Sequence, residues 1–333
     1  MIQLENIVIA SEESERLRVC FQNHNVIIQN VLTERFVKPG RVDINFVDYD
    51  NVRFHLSTPT SKTQLVLSMG IQCWRDLEKY GVNDMLESEY GEWLIRDGPE
   101  KEQEYDVSLM IDLEKLPEDE ESRVSFIYHM SMLKPMILAA PFRRAYETHK
   151  ELAAAHSPDT SSSEEKQGDM MIINYREEEA FVVQSSWDRI TVYISTAFKE
   201  ETDRVFGRVF LQEFVDARRL SNLQSAPQVL YTTRDPPLEL RNVPGLQKSD
   251  DMGYVTFVLF PRHFATLDIA KASILRILTF RNYLHYHLKA SKSYMHSRMR
   301  IRVHTFQQIL NRAKPEVQAD ERRTATGRTF RSR

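Results

Sequence analysis

Thr279-Phe280-Arg281-Asn282-Tyr283-Leu284-His285-Tyr286-His287 lies inside a run from Leu267 to about Lys314 that no Gly or Pro interrupts. The run has helical periodicity throughout. At a rise of ~1.5 Å per residue the helix would extend roughly 70 Å. Helices of globular domains average about 11–12 residues, so one this long bridges domains or subunits. Charge points the same way. Arg276 to Arg333 holds 14 Lys/Arg and 3 Asp/Glu, a net of +11. The whole chain is −4, so the first 275 residues sum to −15. A basic arm on an acidic body describes a protein that docks onto something.

Working outward, 333 residues suffice for two domains, and a hydrophobic fraction of 41% is ordinary for a chain with real cores. The near-neutral total argues against a general nucleic-acid binder. Cys20 and Cys73 are the only cysteines and are far apart, which excludes a thiolate zinc site and a disulfide framework and suggests a reducing cytoplasm. No run approaches the ~18 apolar residues of a membrane span, and the first residues lack a signal-peptide core. The expectation is a soluble, intracellular chain.

Residues 1–24 are charged and weakly patterned. Val26 to Phe36 has helical spacing and ends before Pro39-Gly40. Three strand-like runs follow, Val42–Val47, Val52–Leu56 and Gln64–Met69, with turns at Asp50-Asn51 and Thr58–Ser61. Trp74 to Tyr90 reads as helix broken near Gly81. Trp93–Ile95 and Val107–Ile111 read as strands. A long amphipathic helix spans Glu120 to Ala154, with Pro135 and Pro141 kinking or splitting it. After the Ser/Glu-rich stretch 156–168, a linker or insertion, the same order recurs. Strands Met171–Ile173, Ala180–Val183 and Ile190–Ile194 precede a helix from Thr202 to about Arg219. Strands Gln228–Tyr231 and Tyr254–Phe260 then lead to the long basic helix. Short connections make each meander antiparallel. The fold class is therefore α+β: two related domains, 25–155 and 169–314, each an antiparallel sheet packed with helices. The second ends in the long helix, and a basic tail, 315–333, follows.

Catalytic chemistry finds little support. The chain has ten glycines and no phosphate-cradling glycine motif, no G-x-S-x-G, no H-E-x-x-H and no C-x-x-C. His285, His287, His296 and His304 share the long helix, but residues two apart do not face each other and the wider gaps do not suit chelation. Metal and cofactor sites are not expected. Of the acidic clusters, Glu118-Asp119-Glu120-Glu121 suits a helix start, and Glu177-Glu178-Glu179 falls where a hairpin turn is expected.

On the long helix, Phe280, Tyr283, His287 and Tyr294 follow one stripe. Ile277, Leu284, Leu288, Met295, Val303, Phe306 and Leu310 follow another. One stripe can cover the chain's own sheet; the second calls for a partner. Arg276, Arg281, Lys289, Lys292, Arg298, Arg300 and Arg302 fill the remaining surface and suit an acidic partner or an anionic membrane.

Long motifs then carry a resemblance. They include Phe210–Phe214, Ala226-Pro227-Gln228-Val229-Leu230, Asp235-Pro236-Pro237-Leu238-Glu239, Gly253–His263, Thr279–His287, Tyr294–Arg300, Leu310–Pro315 and Thr326–Phe330. Through these the chain, from about Asn25 to its C-terminus, resembles the family of the 34-kilodalton subunit, subunit 2, of the actin-related protein 2/3 complex. Ala139-Ala140-Pro141-Phe142 and the Ser-rich insertion look like fungal members. The resemblance implies a non-enzymatic core subunit of two α/β domains and a long C-terminal helix. It implies pairing with the 20-kilodalton subunit, subunit 4, to scaffold the complex during branched actin nucleation. It also implies contact with the side of the mother actin filament, and a place in the cytoplasm at cortical actin patches. Nucleotide belongs to the actin-related subunits, so no cofactor is implied here.

Carried onto this sequence, Leu284, Leu288, Met295, Phe306 and Leu310 are the expected subunit 4 contact. Phe280 and Arg281, with Arg276, Lys289, Lys292, Arg298 and Arg300, are the expected mother-filament contact. Two features depart from the family pattern. Residues 1–24 precede the usual start, and Pro135 stands where the helix usually has a basic residue. The competing expectation is a peripheral module whose basic amphipathic helix lies on anionic membrane, although the helix carries no Trp. Exposure alone would also permit phosphorylation at Ser161-Ser162-Ser163.

Overall fold

The computed structural model describes residues 23–97, 101–117, 119–156, 167–217, 219–220, 224–241, 243, 246 and 249–312, with two short tail strands, Arg322–Arg323 and Thr329–Phe330. Most of the expected N-terminal extension, of the Ser-rich insertion and of the basic tail therefore lies outside the described residues.

Two antiparallel sheets organise the chain before its last helix. The first takes β1 (Asp43–Val47), β2 (Arg53–Ser57), β3 (Gln64–Gly70) and β4 (Val107–Asp112) in that order. In its register Phe46 faces Phe54, and Leu56 faces Leu67, which faces Leu109. These apolar rows alternate with a polar row, Asn45–His55–Ser68–Ser108, as the two-residue period of a strand requires. The helices of this part of the chain are α1 (Val26–Val37), α2 (Trp74–Lys79), α3 (Val82–Tyr90), α4 (Glu120–Ser131), α5 (Leu133–Leu138) and α6 (Ala140–Ala155), of which α6 reaches the second sheet. Local chemistry sets their limits. Asn25 Oδ1 accepts from the Ile27 and Ile28 amides and starts α1. Asp119 Oδ2 accepts from the Ser122 amide, 2.8 Å away, and starts α4. Gly81, with φ of 87°, separates α2 from α3.

The expected long helix over Glu120–Ala154 is three helices. Pro135 and Pro141 both sit in first turns, where the missing N–H has no intrahelical acceptor to lose. Trp93–Ile95, expected as a strand, forms only an isolated bridge from Leu94 to Leu109. Its side chain Trp93 turns instead to Phe126, edge-on at 5.3 Å.

The second sheet has the order β5 (Met171–Ile173), β6 (Phe181–Ser185), β7 (Ile190–Ala197), β9 (Met252–Leu259), β8 (Gln228–Thr233), again antiparallel throughout. On one face Phe181 pairs with Ile194, which pairs with Val255, and Val192 pairs with Phe257. Phe181 of this face stacks on Phe142 of α6 at 5.8 Å. On the opposite face Val182 and Tyr193 are closed over by Leu240, Val243 and Leu246. Helix α7 (Glu201–Ala217) needs Gly207: a Cβ there would meet Phe198 Cε1 at 2.7 Å.

Helix α8 (Leu267–Arg312) is continuous for 46 residues. The chain nevertheless divides into two compact units within it, the first ending at His285 and the second starting at Tyr286. In the first unit Ala270, Ile274, Ile277, Phe280 and Leu284 form its buried seam. The steps of four, three, three and four residues keep them on one face. Phe280 sits edge-on to Phe257 of β9 at 4.9 Å and against Phe214 of α7 at 5.5 Å.

Candidate interaction helix and its ion network

The part of α8 that belongs to the first unit, about five turns, is anchored by charge as well as by apolar burial. The turn between β1 and β2 is shaped by Asp48, whose Oδ1 accepts from the Asp50 and Val52 amides, while Asn51 takes φ of 59°. Asp50 is thereby aimed inward. It receives Lys134 from the first turn of α5, Arg176 at 2.7 Å and, more weakly, Asn282 Nδ2 at 3.3 Å. Lys134 also holds Asp48, and Arg176 donates to the Tyr49 carbonyl. Burial alone would raise the Asp50 carboxyl; Lys134 first, then Arg176, outweigh it and bring it down to about 2.

Beside it Glu179, 3% exposed, is fully engaged. Arg281 grips both oxygens, Nε to Oε2 at 2.8 Å and Nη2 to Oε1 at 3.0 Å. The Ala197 amide donates at 2.9 Å, and the Thr196 hydroxyl at 3.3 Å. With that proton committed, Thr196 accepts from His285 Nε2 at 2.8 Å. Burial, with the nearby Arg281 charge, lowers the His285 pKa to about 4, so the ring is neutral at pH 7. A small cavity beside the network reaches Asp50, Tyr175 and Arg281 and is otherwise lined by Leu138, Phe142, Phe181, Ile194 and Ile277.

These placements sort the expected contact residues. Phe280 and Leu284 are buried, and Leu288 is 2% exposed. The Arg281 guanidinium is committed to Glu179. Leu284 and Leu288 were expected on the partner-facing stripe, and Phe280 and Arg281 at the filament by resemblance. In the single chain Phe280, Leu284 and Leu288 are buried and Arg281 is turned to Glu179, so these side chains expose little surface. Arg276 is exposed. In the second unit every described helix residue from Lys289 onward is exposed except half-buried Lys292. Met295 is 38% exposed, Phe306 61% and Leu310 52%. With Met299 and Val303 they fall within an arc of about 80° at 100° per residue. Arg298 donates to the Tyr294 hydroxyl at 2.7 Å and lies over its ring, while Arg300 is exposed.

Sequence reasoning missed Asp50 and Glu179. Both lie in turns, and Glu179 looked like one of three solvated acids at a hairpin. Of the side chains that fix them, Lys134 lies 84 positions from Asp50, Arg281 lies 102 from Glu179 and Asn282 lies 232 from Asp50. Lys134 supplies a positive charge immediately before Pro135, which the proline left in doubt.

A family model described as "Arp2/3 complex, 34 kD subunit p34-Arc" matches residues 67–317. The chain is 49% identical over 314 residues to "Actin-related protein 2/3 complex subunit 2" of Schizosaccharomyces pombe, covering 92% of this chain and 97% of that protein. It is 35% identical over 311 residues to the protein of the same name from Dictyostelium discoideum, covering 93% of this chain and 98% of that one.

Proposed function

Because the chain belongs to the family of the 34-kilodalton subunit of the Arp2/3 complex, we propose that it is a structural core subunit with no chemistry of its own. It pairs through the distal part of α8 with subunit 4, scaffolds the other subunits, and presents basic residues to the side of a mother actin filament. The observation that carries this reading is the apolar stripe Met295, Met299, Val303, Phe306 and Leu310, exposed in the single chain. An apolar helical stripe of this length is buried by a partner when the protein is at work.

Lys289, Lys292, Arg298 and Arg300 lie on the same segment, with Arg276 in the preceding unit. Basic groups suit an acidic filament and would steer the encounter. Phe280 and Arg281 support this role from inside, by fixing the helix to its own sheet. Work at cortical actin patches in the cytoplasm follows from such a role. The membrane alternative gains no support: the relatives' names speak of a complex, none of a lipid.

Co-expression with the subunit 4 homologue, followed by size-exclusion chromatography with light scattering and sedimentation with actin filaments, tests this. A one-to-one complex that pellets with filaments is the expected result. A stable monomer indifferent to both would overturn it.

A further inference from the structure

Away from the ion network, the polar face of the first sheet carries a second cluster of titratable groups. His55 projects from β2 between two carboxylates. Its Nδ1 lies 2.7 Å from both oxygens of Glu102, and its Nε2 lies 2.9 Å from Oδ1 of Asp43 on β1. Ser57 also donates to Glu102. Glu102 belongs to the segment Lys101–Asp106, which crosses this face. Tyr105 of the segment stacks on the His55 ring at 6.0 Å and donates to Asn45 Oδ1 at 3.0 Å. Arg53, two residues along β2, donates to the Glu104 carbonyl at 2.9 Å and lies over the Tyr105 ring. Gly70 leaves room for both, since a Cβ there would stand 3.1 Å from Arg53 Nη2 and 3.5 Å from Tyr105. The next residues in the same row, Ser68 and Ser108, bond each other at 2.9 Å and bring no charge.

A neutral imidazole has one N–H and one lone pair. With a carboxylate at each nitrogen, only the imidazolium can donate both ways; the neutral ring would turn a lone pair toward an anion. We propose that His55 is a proton-operated clasp: as imidazolium it ties Lys101–Asp106 to the first sheet, and loss of its proton loosens that segment from the polar face. Burial works against the charged ring, but the hydrogen bonds and charges of Asp43 and Glu102 outweigh it and raise the His55 pKa above 6.5. A raised histidine pKa stabilises the closed form fully below the unfolded value, and the stabilisation is lost as pH rises through the folded value. The clasp therefore closes in acid and slackens in alkali. At the segment's far end Asp106 accepts from the Ile71 amide at 2.7 Å, so loosening is local and does not free the chain into β4.

Hydrogen exchange of the peptide spanning 101–106, in the full chain and corrected for intrinsic rates, reads the clasp between about pH 6 and pH 9. Protection in the wild type should fall about fivefold or more across a step centred above 6.5. His55→Gln should give low, pH-independent protection. Asp43→Asn should move the midpoint down; Asp43 is 82% exposed in its side chain, so this variant folds even where His55→Gln does not. A flat wild-type profile, a step that persists in His55→Gln, or an unmoved midpoint in Asp43→Asn each overturns the proposal.

Discussion

Arg281 and Glu179 meet in a two-pronged ion pair, 2.8 and 3.0 Å, although 102 positions separate them in the chain. Glu179 is 3% exposed and Arg281 17%. Breaking a buried pair by removing one partner leaves an uncompensated charge, and the loss is about 3–5 kcal/mol. Glu179→Ala should therefore lower stability on the order of 3 kcal/mol, read as a shift in urea midpoint. An unchanged midpoint, with only filament binding lost, would mean that Arg281 faces outward in solution.

Asp50 gives the network a defined acid limit. Its folded pKa, about 2, lies below the ordinary 3.8, so its contribution is fully present above 3.8 and disappears as pH falls through about 2. The amount is on the order of 2 kcal/mol. Asp50→Asn should lack this part of the acid-induced loss. Equal pH slopes for the variant and the wild type over that window would refute the assignment.

Phe280 and Phe306 should separate fold from docking. Phe280→Ala empties a buried aromatic site and should destabilise by about 3–5 kcal/mol. Phe306, 61% exposed, should accept Phe306→Asp with melting changed by less than about 0.5 kcal/mol, yet lose the subunit 4 partner in co-purification. Retained pairing in Phe306→Asp would remove the stripe from the interface.

Paired reversal of Arg298 and Arg300 to Glu should weaken filament sedimentation about tenfold at low salt, with a smaller difference near physiological salt. A deficit independent of salt would point to altered helix packing rather than to charge.

Much of the fold was legible because burial leaves a period. The alternation in Val42–Val47 and Val52–Leu56 located β1 and β2, Gly81 marked the break between α2 and α3, and two prolines divided the helices after Glu120. Trp93–Ile95 came through in part: its backbone pairs with β4 at Leu94 and Leu109, but the run is too short to extend the ladder beyond that bridge. The interaction helix was visible as a whole, but its two ends were not distinguishable. Phe280 and Phe306 carry equal hydrophobicity; only the aromatic cluster of Phe214 and Phe257, assembled from distant segments, makes the first internal. Glu179 was hidden for the same reason. Nothing local separates a turn carboxylate in water from one awaiting an arginine on another element.

The exposed stripe on the distal α8 also bears on how much of this protein a cell can hold. A copy made in excess of its partner displays Met295, Met299, Val303, Phe306 and Leu310 to every chaperone and protease it meets. Such surfaces are recognised as unfinished, and binding removes them by mass action. On the proposed pairing, partner supply would then set the surviving amount of this chain, by degradation of copies left without a partner.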